Sequence, residues 1–159
     1  WNHVSDNAAL DLMPQDKAKD IDVLNEFIYE RINNAVYRTG FATDQEVYSD
    51  ECRMLFEALD ILEEKLHGRM YLLGDRLLEP DIRLFTTLVR FDWVYFGHFK
   101  CNVRMLESYT NLFNYMKRIY QQVENTVDRR HIQEHYYRSH PWINPNGIIP
   151  IGPETDYSV

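Results

Sequence analysis

The sequence predicts an all-α helix bundle finished by an extended, proline-rich tail, and three features carry that prediction. Residues 82–91 form a nearly unbroken apolar helix: Ile82, Phe85 and Val89 recur at helical spacing, and Leu84, Leu88 and Phe91 widen the stripe. Only Arg83, Thr86, Thr87 and Arg90 interrupt it, so this helix belongs at the centre of a bundle. Segments on both sides also repeat their apolar residues every three or four positions. Beyond Ser139 the chain carries four prolines, Pro141, Pro145, Pro150 and Pro153, yet stays apolar, which forbids a helix and favours an extended run packed across the bundle.

Residues 1–16 are polar and broken by Pro14, the pattern of a lead-in or linker. The chain opens on Trp1 rather than Met, as a processed product or a piece of a longer protein would. From Lys17, the residues Ile21, Leu24, Ile28, Ile32 and Ala35 share one helical stripe, and Gly40 stands where a left-handed residue would end the helix. Thr43-Asp44-Gln45-Glu46 fits a capping box and opens a second long helix, lined by Met54, Leu55, Ala58, Leu62 and Leu66 and running to Gly68. The central helix follows the connection Met70–Gly74. Leu112, Met116, Ile119 and Tyr120 mark a fourth helix, and Val127, Ile132 and Tyr136 a fifth. The expected organisation is a helical domain over 17–138 and an extended tail over 139–159.

Composition narrows the function. A chain of 159 residues with 45% hydrophobic and 14% aromatic content holds enough apolar side chain for one real core. Its 25 acidic residues against 17 basic ones, with no dense basic cluster beyond pairs such as Arg129-Arg130, argue against nucleic acid and anionic membrane as partners. No apolar run reaches the ~20 residues of a membrane-spanning helix. Cys52 and Cys101 form no CxxC pair, so reduced thiols in a cytoplasmic protein are expected rather than a disulfide framework.

Tyrosine is the unusual residue, present eleven times. Tyr37 lies opposite the core stripe of its helix, one turn beyond Asn33. It is either a wall of an aromatic site or an amphipathic surface tyrosine. Tyr95 and His98 follow the central helix among Trp93, Phe96 and Phe99, a setting that suits packing as well as binding. Tyr136 and Tyr137 end the last helix, and since neighbours on a helix point about 100° apart, only one of them faces any one hollow. His131-Ile132-Gln133-Glu134-His135 matches the H-x-x-E-H spacing of inverted zinc peptidases. A working zinc site also needs a third ligand and an open position, and no metal is expected here. Cys101, beside Lys100, is expected to be a buried, inert thiol.

Three segments together resemble the Xi-class glutathione transferases, the glutathionyl-hydroquinone reductases: Asn33–Ala42, then Leu84–Asn102 with its RFD and HFKCN cores, then His135–His140 followed by Ile143-Asn144-Pro145 and Gly147–Pro153. The resemblance runs from about Lys17 to the tail. It implies the helical C-terminal domain of that family, whose central helix closes its first turn through an Asp three residues past the N-cap, here Asp81. Two departures are Leu78, where the family has Ser or Thr at the N-cap, and Thr110, where it commonly has Pro. The absent N-terminal domain would be thioredoxin-like, bind the co-substrate glutathione and carry the nucleophilic cysteine. Tyr37, Tyr95 and Tyr137, with Tyr136 as the alternative to Tyr137, would line the quinone pocket. The resemblance further implies a homodimer. A glutathione-transferase-like module that binds or assembles without catalysis is the alternative.

Overall fold

A computed structural model of the chain describes residues 10–157, so residues 1–9 of the expected lead-in lie outside the described residues. Its helices are α1 (Ala18–Ile28), α2 (Ala35–Gly40), α3 (Gln45–Lys65), α4 (Glu79–Arg90), α5 (Thr110–Val123) and α6 (Arg129–Ser139). Two π-helical turns, Tyr29–Asn33 and Phe91–Tyr95, stand between α1 and α2 and directly after α4.

The stripe Ile21, Leu24, Ile28, Ile32 and Ala35 is buried from end to end, which explains why α1 and α2 behave as one long helix despite the π-turn between them. In that turn Asn34 N–H reaches back five residues to Tyr29 O at 2.9 Å. Each extra residue rotates the downstream helix by about 100°. Gly40 does not have the expected left-handed role. It is helical, and a Cβ there would lie 2.3 Å from Phe99 Cγ, so the glycine permits a close approach. The cap of α3 also differs: Asp44, not Thr43, is the N-cap, and its carboxylate accepts from Glu46 N at 2.8 Å and Val47 N at 3.1 Å. An ionised acceptor one residue later satisfies the same orphan donors. Gly68, with φ of 68°, closes the far end in the left-handed region.

Helix α4 is the axis, packed against α1 on one side and α5 on another. Its start rests on Asp81, fully buried, which accepts from Leu78 N at 2.8 Å, Leu72 N at 3.0 Å and the Tyr115 hydroxyl at 2.9 Å. The carboxylate therefore ties the first turn of α4 to the preceding loop and to α5, a compensation for the missing acceptor on Leu78. All five residues of the π-turn Phe91–Tyr95 are buried, and α6 packs across it.

Residues 140–157 contain no regular helix or strand. Tyr157 stacks on Trp93 with ring centres 4.3 Å apart, Arg129 Nη2 donates to Pro153 O at 2.9 Å, and Asn144 Nδ2 donates to Tyr137 O at 2.6 Å. Thr155 and Tyr157 are buried, whereas Trp142, Ile148 and Ile151 face solvent.

Candidate functional site

α2, the π-turn after α4, and α6 each bring one tyrosine to a common point. Tyr136 Oη lies 2.8 Å from Tyr37 Oη and 2.9 Å from Tyr95 Oη, so Tyr136 is the hub of a three-hydroxyl chain. The rings support the arrangement: Tyr95 stands edge-on to Tyr136 at 5.6 Å and to Tyr37 at 6.1 Å, and Phe99 stacks beneath Tyr95 at 5.4 Å. Phe99 reaches that place over Gly40. Local folding aims Tyr95, because Phe96 N–H bonds to Phe91 O across five residues at 2.8 Å. The extra residue turns Tyr95 off the line a regular α-helix would have followed.

The hydroxyls sit in the wall of an open cleft of about 660 Å³, a size suited to a small aromatic ligand. Asn33, Thr86, Thr87 and Arg90 form the side made by the first π-turn and α4, and His131, Ile132 and His135 the α6 side. Asn33 Nδ2 donates to Thr87 Oγ1 at 2.6 Å and to Arg83 O at 3.2 Å, locking the first π-turn onto α4. Burial is the main force on the tyrosines: it pushes Tyr136 up to about 12, and Tyr95, more deeply enclosed, further still. Both are therefore neutral hydroxyls at physiological pH. Three O–H protons serve two hydrogen bonds within the cluster, which leaves one proton free to donate into the cleft.

Of the residues singled out in the sequence, the structure brings Tyr37, Tyr95 and Tyr136 together. Tyr137 goes elsewhere, a correction to the expected trio. Its ring lies against His98 at 4.4 Å, and its hydroxyl is so close to Gly97 that a Cβ there would be 2.9 Å away. One residue along α6 rotates the side chain from cleft to core, where burial pushes the phenol up to about 12. His98 is buried with it, 3.0 Å from His140 Nδ1, and burial, reinforced by His140, pulls it down to about 4.

His131 and His135 do line the cleft, but Glu134 of the same motif pairs with Arg130 at 3.0 Å. Among the described residues, no three His, Cys, Asp or Glu side chains gather as a metal site. Both thiols are buried, Cys101 completely, and burial pushes both up. Sequence reasoning missed Thr87, His135 and Arg90 as cleft residues. Thr87 and Arg90 gave a partial signal as polar interruptions of an otherwise apolar helix, and His135 as one of the histidine pair on α6.

Known proteins resemble the chain over most of its length. Residues 45–118 match the family described as glutathione S-transferase, C-terminal domain. The chain is 51% identical over 145 residues to the glutathionyl-hydroquinone reductase PcpF of Sphingobium chlorophenolicum, covering 90% of this chain and 46% of that protein. It superposes on the glutathione S-transferase Xi of Phanerochaete chrysosporium with a TM-score of 0.94 at 44% identity, over 99% of this chain and 55% of that one. The glutathione-bound YqjG of Escherichia coli gives 0.91 at 48% identity, over 93% and 49%. The chain spans about half the length of the curated relatives it matches.

Proposed function

The chain belongs to the Xi-class glutathione transferases, as their C-terminal helical domain, and from that premise we propose that its tyrosine-lined cleft is the quinone pocket of a glutathione-dependent glutathionyl-hydroquinone reductase. The observation that carries this reading is the Tyr37–Tyr136–Tyr95 hydroxyl chain opening on a ring-sized hollow.

The reaction needs what that chain offers. A cysteine thiolate of the partner domain attacks the glutathionyl sulfur, the bond from that sulfur to the ring carbon breaks, and the ring carbon takes a proton. A mixed disulfide and a hydroquinone result. Glutathione thiolate then attacks the mixed disulfide, releasing glutathione disulfide and restoring the cysteine thiolate. Departure of the ring is easiest from a keto tautomer, in which the ring carbon has already taken its proton and the released electron pair passes to the carbonyl oxygen, which becomes the hydroquinone hydroxyl. The one spare hydroxyl proton of the cluster donates to that oxygen, and Tyr136, linked to both neighbours, can pass a proton without any of the three becoming a lasting anion. Ile132 and the ring of Tyr37 supply apolar wall, and Phe99 backs Tyr37 from the core.

The same reading makes the protein a homodimer paired through its helical domain, and Val23 and Ile61, exposed beside one hollow between α1 and α3, provide apolar surface for it. Light scattering tests the pairing. The pocket itself is tested by joining the chain to its thioredoxin-like partner domain and following glutathione-dependent loss of glutathionyl-menadiol. Turnover that falls on substitution of Tyr37, Tyr95 and Tyr136, and not of Tyr137, is the expected result. Equal loss from Tyr137→Phe would overturn the pocket.

A further inference from the structure

Arg90, the last residue of α4, has no task in the reaction just described. Its Nη1 donates to Thr86 O in the same turn, which occupies one of five guanidinium donors. Among the described residues it forms no ion pair, although the chain carries 25 acidic residues. None of the eleven residues lining the tyrosine cleft is acidic. Arg90 faces that space closely enough for its charge to favour ionisation of Tyr136, against the larger opposing effect of burial.

The cleft continues into a second hollow of about 270 Å³. The two share Thr86, Arg90, His131 and Ile132, so Arg90 stands at their junction. Phe85, Val89 and Val127 add apolar wall to the second hollow. The carboxylate on its lining, Asp128, is engaged in capping α6, accepting His131 N at 2.9 Å. The result is a donor-rich space whose one carboxylate is engaged as a helix cap, with neutral hydroxyls at one end and, beside a mainly apolar extension, a cation without an ion pair among the described residues.

We propose that Arg90 determines substrate class, and that the site takes hydroquinones bearing a carboxylate on the ring. Resting on the quinone-pocket reading, this assigns the ring oxygen to the tyrosine hydroxyls and the carboxylate to the guanidinium. The planar fork of arginine matches a carboxylate with two parallel hydrogen bonds, whereas a neutral ring substituent would leave those donors facing nothing.

The test uses two probes that differ only in the carboxylate, 1,4-dihydroxy-2-naphthoate and 1,4-dihydroxynaphthalene, titrated calorimetrically into the 159-residue chain under anaerobic conditions. The carboxylate is expected to bind about tenfold more tightly or better, with the preference shrinking as salt rises. Arg90→Met and Arg90→Gln should each bring the ratio to within about twofold while Arg90→Lys retains part of it; two neutral variants keep the test decisive if one folds poorly. Equal affinities in the unmodified chain, or a preference that survives both neutral substitutions, would overturn the assignment. If the neutral probe binds and weakens on Tyr136→Phe but no charge preference exists, Arg90 alone loses its role. If neither probe binds, the pocket reading falls with it.

Discussion

Replacing Tyr136 by Phe keeps the ring and removes the hydroxyl that both neighbours share, so it separates proton donation from stacking. In the two-domain protein kcat for glutathionyl-menadiol is expected to fall ~10²-fold while KM moves only a few-fold. An unchanged kcat would remove Tyr136 from the chemistry. A second residue sets a pH dependence. Asp92 is fully buried, and burial pushes its carboxyl up to about 6, with the Leu106 and Glu107 N–H groups pulling the other way. In the unfolded chain the carboxyl titrates near 3.8, so between the two values the native state holds the extra proton and stability falls as pH rises. Asp92→Asn should flatten that slope, worth at most about 3 kcal/mol, in melting temperatures taken from pH 4 to 7. A slope that persists would refute the origin. The sequence marked Tyr37 by its place off the core stripe, and resemblance raised Tyr95. Tyr136 and Tyr137 were inseparable because a 100° choice depends on how α6 is rotated, which only packing against the π-turn decides. Arg90 escaped notice because a polar residue ending an apolar helix reads as ordinary helix-end chemistry.

At the scale of elements, the π-turns matter most. Apolar spacing identified every long helix, since burial of Ile21, Leu24, Ile28, Ile32 and Ala35 on one side requires that period whatever the local detail. The spacing contains no mark of the single inserted residue that re-aims Tyr95, because a π-turn costs little when tertiary contacts want it and leaves the stripe nearly continuous. Gly40 shows the same limit. A glycine at a helix end suggests a left-handed cap, but the space it leaves is filled by Phe99, a partner 59 positions away in sequence. Gly40→Ala would force Phe99 away from Tyr95 and Tyr37 as well as crowd the core, and is expected to destabilise the chain by about 1–3 kcal/mol in urea unfolding. Unlike a surface change of similar cost, it should also weaken binding of 1,4-dihydroxynaphthalene. Stability within about 0.5 kcal/mol of the parent would show that Phe99 yields without cost.

At the scale of the whole molecule, the function proposed above divides labour: this chain supplies the cleft and its hydroxyls, and a partner domain the thiolate. Its all-α class and the bundle's central helix were legible, since an apolar segment such as residues 82–91 has few places to go except a core. How far the tail packs was not, because proline-rich chain has no periodicity from which contact can be read: Tyr157 ends stacked on Trp93, while Ile151 stays 90% exposed. The two thiols complete the division. A nucleophilic cysteine needs exposure and a stabilised thiolate, and both Cys52 and Cys101 have the reverse, enclosed by apolar side chains with burial pushing their pKa values up. The 159-residue chain alone is therefore expected to bind a hydroquinone in its cleft and yet produce no glutathione disulfide from glutathionyl-menadiol and glutathione. Cys101→Ser should change neither result. Turnover by the isolated chain that disappears on Cys101→Ser would show that the buried thiol becomes exposed and reacts, and would move the reaction's nucleophile into the helical domain.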